Sequence, residues 1–291
     1  MKRVAVVGIP GGWSSERLAD ALENETGFRR IIDMREVYMD LDTRQVRADD
    51  VCLNDLDGII VKKISPSYSP NCLDRMEILR FLHEEGVPVF SKPQSILGLI
   101  DRLSCTIRLR LGEIPMPPTV ITEDITEALY AVETFGKAVF KPLYSSKARG
   151  MMVIEAGVGA RDAVHEFKDA GNPLMYIQKF LPRVERDLGV AFLGGTYLAT
   201  YAREKHGETW NTTTRSGGTY VPYQPSPQII VLAEKAHALF DMAFTCVDVV
   251  EAEGGPFVYE VSAFGGFRGL LEANQLNAAE AYARYVLDQL K

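Results

Sequence analysis

Short apolar runs alternate with helix-like stretches through the first third of the chain. Val4–Val7 reads as a buried strand, Gly8-Ile9-Pro10-Gly11-Gly12 as a turn, and Ser14-Ser15-Glu16 as the opening of a helix. Gly58–Val61 predicts a second strand, Leu73–Glu85 a helix and Val87–Phe90 a third strand. This rhythm predicts a parallel sheet flanked by helices. Asp101–Gly112 reads as a helix, closed by Pro115 and the Pro117-Pro118 pair. A second α/β unit follows, with helix Thr126–Thr134, strand Ala138–Lys141, a polar loop Tyr144–Gly150, strand Met152–Ile154, a helix near Arg161–Ala170 and strand Leu174–Gln178. The last part reads as mostly antiparallel. Leu188–Leu193 and Tyr197–Arg203 flank a Gly194-Gly195 turn, and a polar loop, the helix Gln228–Asp241 and a hairpin follow. Glu272–Leu290 is expected as one closing helix. The expected division is into three lobes, 1–97, 98–181 and 182–291, folded against one another.

Composition narrows the function classes. The 291 residues are enough for two or three small lobes, and the net charge of −7 argues against a dedicated nucleic-acid surface. No apolar stretch approaches the length of a membrane span, and Met1–Gly8 reads as a first strand rather than a signal peptide. The four cysteines, Cys52, Cys72, Cys105 and Cys246, are scattered without CxxC or a histidine cluster, which predicts free thiols in a reducing compartment. A cytoplasmic protein is expected.

The chemistry concentrates late in the chain. Cys246–Val250 and Phe257–Ser262 form a predicted hairpin, with the turn at Glu253-Gly254-Gly255-Pro256. A turn centred on Gly254 makes Asp248 and Glu260 cross-strand partners, with Cβ atoms roughly 5 Å apart. Two carboxylates so placed repel unless protonated or bridged by a cation, and hard oxygen ligands suit Mg²⁺. The alternative is an exposed hairpin carrying two solvated acids. Lys141 ends the apolar strand Ala138–Phe140 and leads into Tyr144-Ser145-Ser146-Lys147-Ala148-Arg149-Gly150. A buried-strand lysine needs an anionic partner, and the small basic loop could fold over phosphates. A surface turn of solvated lysines is the other reading. Tyr176–Pro182 leaves a strand through the polar pair Gln178-Lys179 and could present backbone groups to an adenine edge. Gly8–Gly12 is not GxGxxG and no GxxxxGK[ST] loop occurs, so the turn is taken to line a cleft.

The succession of strand lysine, small loop, strand-exit hinge, arginine and two-acid hairpin resembles the ATP-grasp superfamily, most closely its RimK-like carboxylate–amine ligases. Leu99–Arg102 with Ile114–Thr119 looks like the family's "DK…GIPVPxT", Phe140-Lys141-Pro142 like "VKP", and Arg186-Asp187 like "RD". Asn211–Gly218 is similar to "N…RGG", and Val258–Ser262 to "VxEVN". The wording of Gly8–Arg17 and Val261–Gly269 is similar to the subgroup called GAK-system ATP-grasp proteins. The resemblance implies a Rossmann-like pre-ATP-grasp lobe followed by a two-lobed ATP-grasp fold. It implies ATP between the lobes, with Lys141 and Arg102 on the phosphates, assisted by Ser146 and Lys147. Gln178, Lys179, Phe180 and Leu181 would form the adenine hinge, with Asp187 on the ribose and Asn211 on the nucleotide side. Asp248, Glu260 and Ser262 would hold Mg²⁺, and Arg203 and Arg268 would be catalytic, with Arg203 over the acyl phosphate. The implied reaction joins a small-molecule or peptide carboxylate to an amine, with release of ADP and phosphate, and a homo-oligomer is compatible with it.

Three departures from the family pattern stand out. Ser262 replaces an asparagine ligand, Lys179 a hinge glutamate, and Gly189 an arginine that often follows "RD". An ATP-grasp kinase, sharing the nucleotide site, is one alternative, and Ser262 with Gly189 leaves a catalytically decayed nucleotide-binding regulator as another.

Overall fold

The computed structural model describes every residue except Lys147 and Glu208, and omits the side chain of Arg215. β1 (Val4–Val7) is buried along its whole length. The Gly8–Gly12 turn carries the chain into α1 (Trp13–Thr26), which stops at Gly27, a left-handed residue at φ 71° that suits glycine. β2 (Ile31–Ile32) pairs in parallel with β1. The chain then leaves the sheet for an antiparallel ribbon, β3 (Val37–Asp40), β4 (Gln45–Ala48) and β5 (Val51–Cys52), which the sequence reading did not anticipate. It returns through β6 (Gly58–Val61), α2 (Asn71–Glu84) and β7 (Val89–Phe90), giving the parallel order β2-β1-β6-β7. The expected parallel sheet is therefore present, with a shorter third strand.

α3 (Pro93–Ile100) runs into α4 (Arg102–Leu111), whose start is capped by Asp101 accepting from the Leu103 and Ser104 N–H groups. A four-stranded sheet follows, made of β8 (Thr119–Thr122), β9 (Lys137–Lys141), β10 (Met152–Glu155) and β11 (Met175–Lys179). Its order is β10-β9-β11-β8 and every pairing is antiparallel. α5 (Ile125–Phe135) and α6 (Ala160–Asp169) cover it. They close a core of their own around Phe140 and Phe167, whose rings meet edge to face at 5.3 Å.

The remaining sheet is a five-stranded antiparallel one, ordered β14-β13-β12-β15-β16. It comprises β12 (Arg186–Leu193), β13 (Thr196–Glu204), β14 (Thr219–Pro222), β15 (Phe244–Ala252) and β16 (Gly255–Val261), with α7 (Pro227–Ala238) packed across it. β14 lies in what reads as polar loop. The expected single helix Glu272–Leu290 is corrected to two, α8 (Arg268–Asn274) and α9 (Ala278–Gln289). Gln275 adopts φ 55° between them, a left-handed conformation that ends a helix. The break lets α9 turn back on α1, so that Leu18 and Leu22 share a core with Tyr282 and Val286. Among the described residues no helix is long and apolar enough to cross a membrane.

Candidate functional site

The acid hairpin has the expected partners by an unexpected route. The loop is the pair Glu253-Gly254, and Ala252↔Gly255 through Val249↔Val258 follow that register. Continued regularly, it would set Asp248 opposite Tyr259. A bulge intervenes, so Tyr259 is the extra residue and Asp248 pairs with Glu260. The two carboxylates thus share one face of the sheet.

Each acid meets a guanidinium. Arg203, the residue after the fully buried Ala202 on β13, lies 3.1 Å from Asp248 and also holds Asp187 in a bidentate pair, with Nε at 3.2 Å. Asp187 accepts further from the Thr212 hydroxyl. Arg102, at the first turn of α4, donates to Glu260 at 2.9 Å, to the Pro142 carbonyl at 3.1 Å and to Ser145 Oγ at 3.4 Å. Burial raises Asp248 well above the usual carboxylate range, opposed by Arg203 and reinforced by Glu260. Arg203 is held firmly cationic, because Asp187 and Asp248 outweigh its desolvation.

Lys141 enters the same space from β9. Its Nζ donates to Gln178 Oε1 at 2.6 Å and lies 5.0 Å from the centroid of the bulged Tyr259 ring. Burial, followed by repulsion from Arg102, lowers it to about 7. Gln178 is almost fully buried within β11 and is itself held by Thr119 Oγ1 at 3.1 Å. Its side chain therefore orients Lys141. The strand exit beyond it is partly engaged: Lys179 N–H donates to Pro118 and Phe180 N–H to Lys137. Lys179 points to solvent, while Phe180 and Leu181 are half-buried. Ser146 sits in the loop after β9 and borders a cavity of about 520 Å³ shared with Tyr68, Tyr144 and Arg149. Lys147 lies outside the described residues.

The other expected site residues are engaged in contacts of their own. Asn211 accepts from the Thr213 N–H at 3.1 Å and hydroxyl at 2.7 Å, closing a local turn. Arg268 stacks over Trp13, the first residue of α1, at 5.0 Å and approaches Glu272 at 3.7 Å. Ser262 continues the acid strand, with its N–H on the Cys246 carbonyl at 2.9 Å and its own carbonyl on Thr245 Oγ1 at 2.6 Å. Gly189 has a steric explanation: a Cβ there would fall 2.3 Å from the Tyr201 ring across the strand pair.

The sequence reading missed Lys62, which ends an apolar strand as Lys141 does and is 2% exposed. The rule that singled out Lys141, a lysine closing a buried strand, applies equally to Gly58–Val61. Tyr259 was missed because a bulge leaves no compositional mark.

Two carboxylates with two guanidiniums behind them fit a hard cation that takes its other ligands from phosphate oxygens and water, as Mg²⁺ does. Among the described residues no cluster of three or more His, Cys, Asp or Glu side chains competes with them for a metal. Lys141 and Arg102 lie beside the acids, and cations so placed suit a polyphosphate.

The RimK-like ATP-grasp domain profile matches residues 100–286. A tetrahydromethanopterin:alpha-L-glutamate ligase of Methanosarcina acetivorans is 24% identical, covering 100% of this chain and 99% of the relative. In structure, a RimK domain ATP-grasp protein of Sphaerobacter thermophilus aligns with a TM-score of 0.76 at 20% identity, over 97% of this chain and 98% of the other. The ATP-grasp ligase PsnB, complexed with a minimal precursor, Mg and ADP, aligns at 0.75 and 16% identity, over 99% and 97%.

Proposed function

The chain belongs to the RimK-like ATP-grasp family, and from that premise we propose an ATP-dependent carboxylate–amine ligase whose site is the Asp248–Glu260 pair with its flanking cations. The observation that carries the proposal is the convergence of Lys141, Arg102 and Arg203 on two cross-strand acids from three different elements. In the proposed reaction the substrate carboxylate attacks the γ-phosphorus of ATP and ADP leaves, giving an acyl phosphate. An amine then attacks the acyl carbon, phosphate departs, and the amine loses a proton, leaving an amide.

The chain's own groups supply orientation and charge. Lys141 and Arg102 hold the phosphates, with Gln178 aiming the lysine. Arg203, locked by Asp187, faces the charge that develops on the acyl carbon's oxygen, where a fixed cation stabilises the transition state most. Asp187 thereby acts through Arg203, and a ribose contact would need it to exchange Thr212 for a sugar hydroxyl. Lys179, Phe180 and Leu181 are proposed to border the adenine, Ser146 the phosphates, and Asn211 the nucleotide side. Mg²⁺ on Asp248 and Glu260, with Ser262 near, would neutralise phosphate charge. Arg268 is proposed on the amine side.

The test supplies MgATP with a panel of carboxylates and, as amine, L-glutamate or hydroxylamine. Nucleotides are then separated by chromatography. ADP and phosphate should appear in equal amounts and only with both substrates. AMP with pyrophosphate would replace this mechanism by adenylation, and ADP without free phosphate would indicate a kinase.

A further inference from the structure

Lys62 follows β6, and its N–H donates to the Val7 carbonyl at 2.8 Å, pinning it at the carboxyl end of the parallel sheet. Its side chain is buried beneath the loop that leaves the acid strand. Nζ donates to the Gly265 carbonyl and lies 3.6 Å from the centroid of Phe267 and 5.4 Å from that of Phe244. Burial lowers it to about 7, with Lys63 adding repulsion. Enclosing an ammonium against a carbonyl and two rings opposes folding, where a methionine of similar shape would not. Stability alone therefore does not account for a lysine here.

What the ammonium holds does account for it. The loop Ser262–Phe267 joins Glu260 to Arg268 and is pressed onto β15, since a Cβ at Gly265 would fall 2.9 Å from Cys246 N. It meets the N-terminal lobe at three points. Phe264 packs edge to face on Tyr68 at 6.2 Å, Gly265 accepts from Lys62, and Arg268 covers Trp13 at 5.0 Å. Those three partners sit just past the ends of β1 and β6. The strand order β2-β1-β6-β7 reverses direction between these two strands, and open parallel sheets receive ligands in that crevice. Here a loop of the acid-bearing sheet occupies it.

We propose that Lys62 is a positioning residue: by holding the Gly265 carbonyl it seats the loop in the crevice and fixes where Arg268 stands relative to the acids. The inference rests on the ligase reading only for Arg268's role in the reaction; the tether itself is separately measurable.

The experiment uses the Trp210→Phe protein, in which Trp13 is the remaining tryptophan. In Lys62→Met, hydrogen exchange of the amides at 263–268 should accelerate by about fivefold or more. Acrylamide quenching of Trp13 should rise by about twofold as Arg268 leaves the ring. MgATP affinity by calorimetry should stay within about twofold, because Lys141 and Arg102 are untouched. A shifted melting temperature with unchanged exchange and quenching reduces Lys62 to packing and overturns the proposal. Failure of the unsubstituted protein to bind MgATP would sink the ligase reading while leaving the loop measurements decisive. If Lys62→Met does not fold, Phe267→Leu removes the ring under the ammonium. A smaller acceleration is then expected, and none would overturn the tether.

Discussion

Lys141 and Ser262 bear on the site at opposite ends, one through charge and one through reach. Lys141 donates to a neutral amide, Gln178, so its charge remains available to an incoming phosphate. Lys141→Met keeps the aliphatic volume in β9 and removes that charge. MgATP affinity should fall by about tenfold or more in calorimetry, with cooperative melting retained. Unchanged affinity would remove Lys141 from the site. Ser262 lies two positions beyond Glu260, on the same face of an extended segment, with its N–H and carbonyl both bonded to β15. Its hydroxyl is shorter than an amide and would reach a cation on Glu260 through water, an arrangement Mg²⁺ accepts at lower affinity. Ser262→Asn should shift the magnesium dependence of ATP turnover to lower concentration, and superimposable titration curves would make Ser262 a packing residue only.

Elements show what could be read from sequence and what could not. β1 and β6 were legible to the residue because all four positions of each are buried, leaving unbroken apolar runs. The ribbon β3–β5 was not, because it is short, half-exposed and rich in charge, with β4 alternating exposed and buried residues. The Asp248–Glu260 pairing was read from a symmetric turn, whereas the true loop lies half a residue away and the bulge at Tyr259 restores the partnership. Bulges and left-handed breaks such as Gln275 are tertiary outcomes, so periodicity does not announce them. Gly189 is another case: it looks like a lost arginine in sequence, yet the Tyr201 ring fills its space and that of Gly269, where a Cβ would fall 2.6 Å away. Gly189→Ala should therefore destabilise the sheet by about 1–3 kcal/mol. Tyr201→Leu in the same chain should recover part of that loss, with a coupling above about 0.5 kcal/mol in a urea-unfolding double-mutant cycle. Additive losses would show that the ring is not what requires glycine.

Across the whole molecule, the buried lysine between the N-terminal sheet and the acid strand makes stability depend on pH in an unusual direction. Lys62 is lowered from 10.5 to about 7 by burial. Below 7 the folded and unfolded chains both carry its proton, and the full cost of burying the charge opposes folding. Above 7 the unfolded chain still binds that proton while the folded chain releases it. Stability therefore rises with pH through this window, by at most about 1.4 kcal/mol per pH unit for one group. Lys141, also lowered to about 7, adds a parallel rise. Cys105 and Cys246 oppose it from about 9 upward, because burial pushes their thiols up to about 12 and about 11 and the unfolded chain then loses protons first. Comparing the unsubstituted protein with Lys62→Met cancels Lys141 and leaves the thiols largely common to both. Urea unfolding between about pH 7 and pH 9 should show the difference moving in favour of the unsubstituted protein by about 1 kcal/mol per pH unit. The methionine variant should be the more stable of the two at the acid end, where the buried ammonium costs most. Parallel stability curves would mean that Lys62 keeps its proton throughout, and that the Gly265 carbonyl and the two phenylalanine rings solvate it as well as water does.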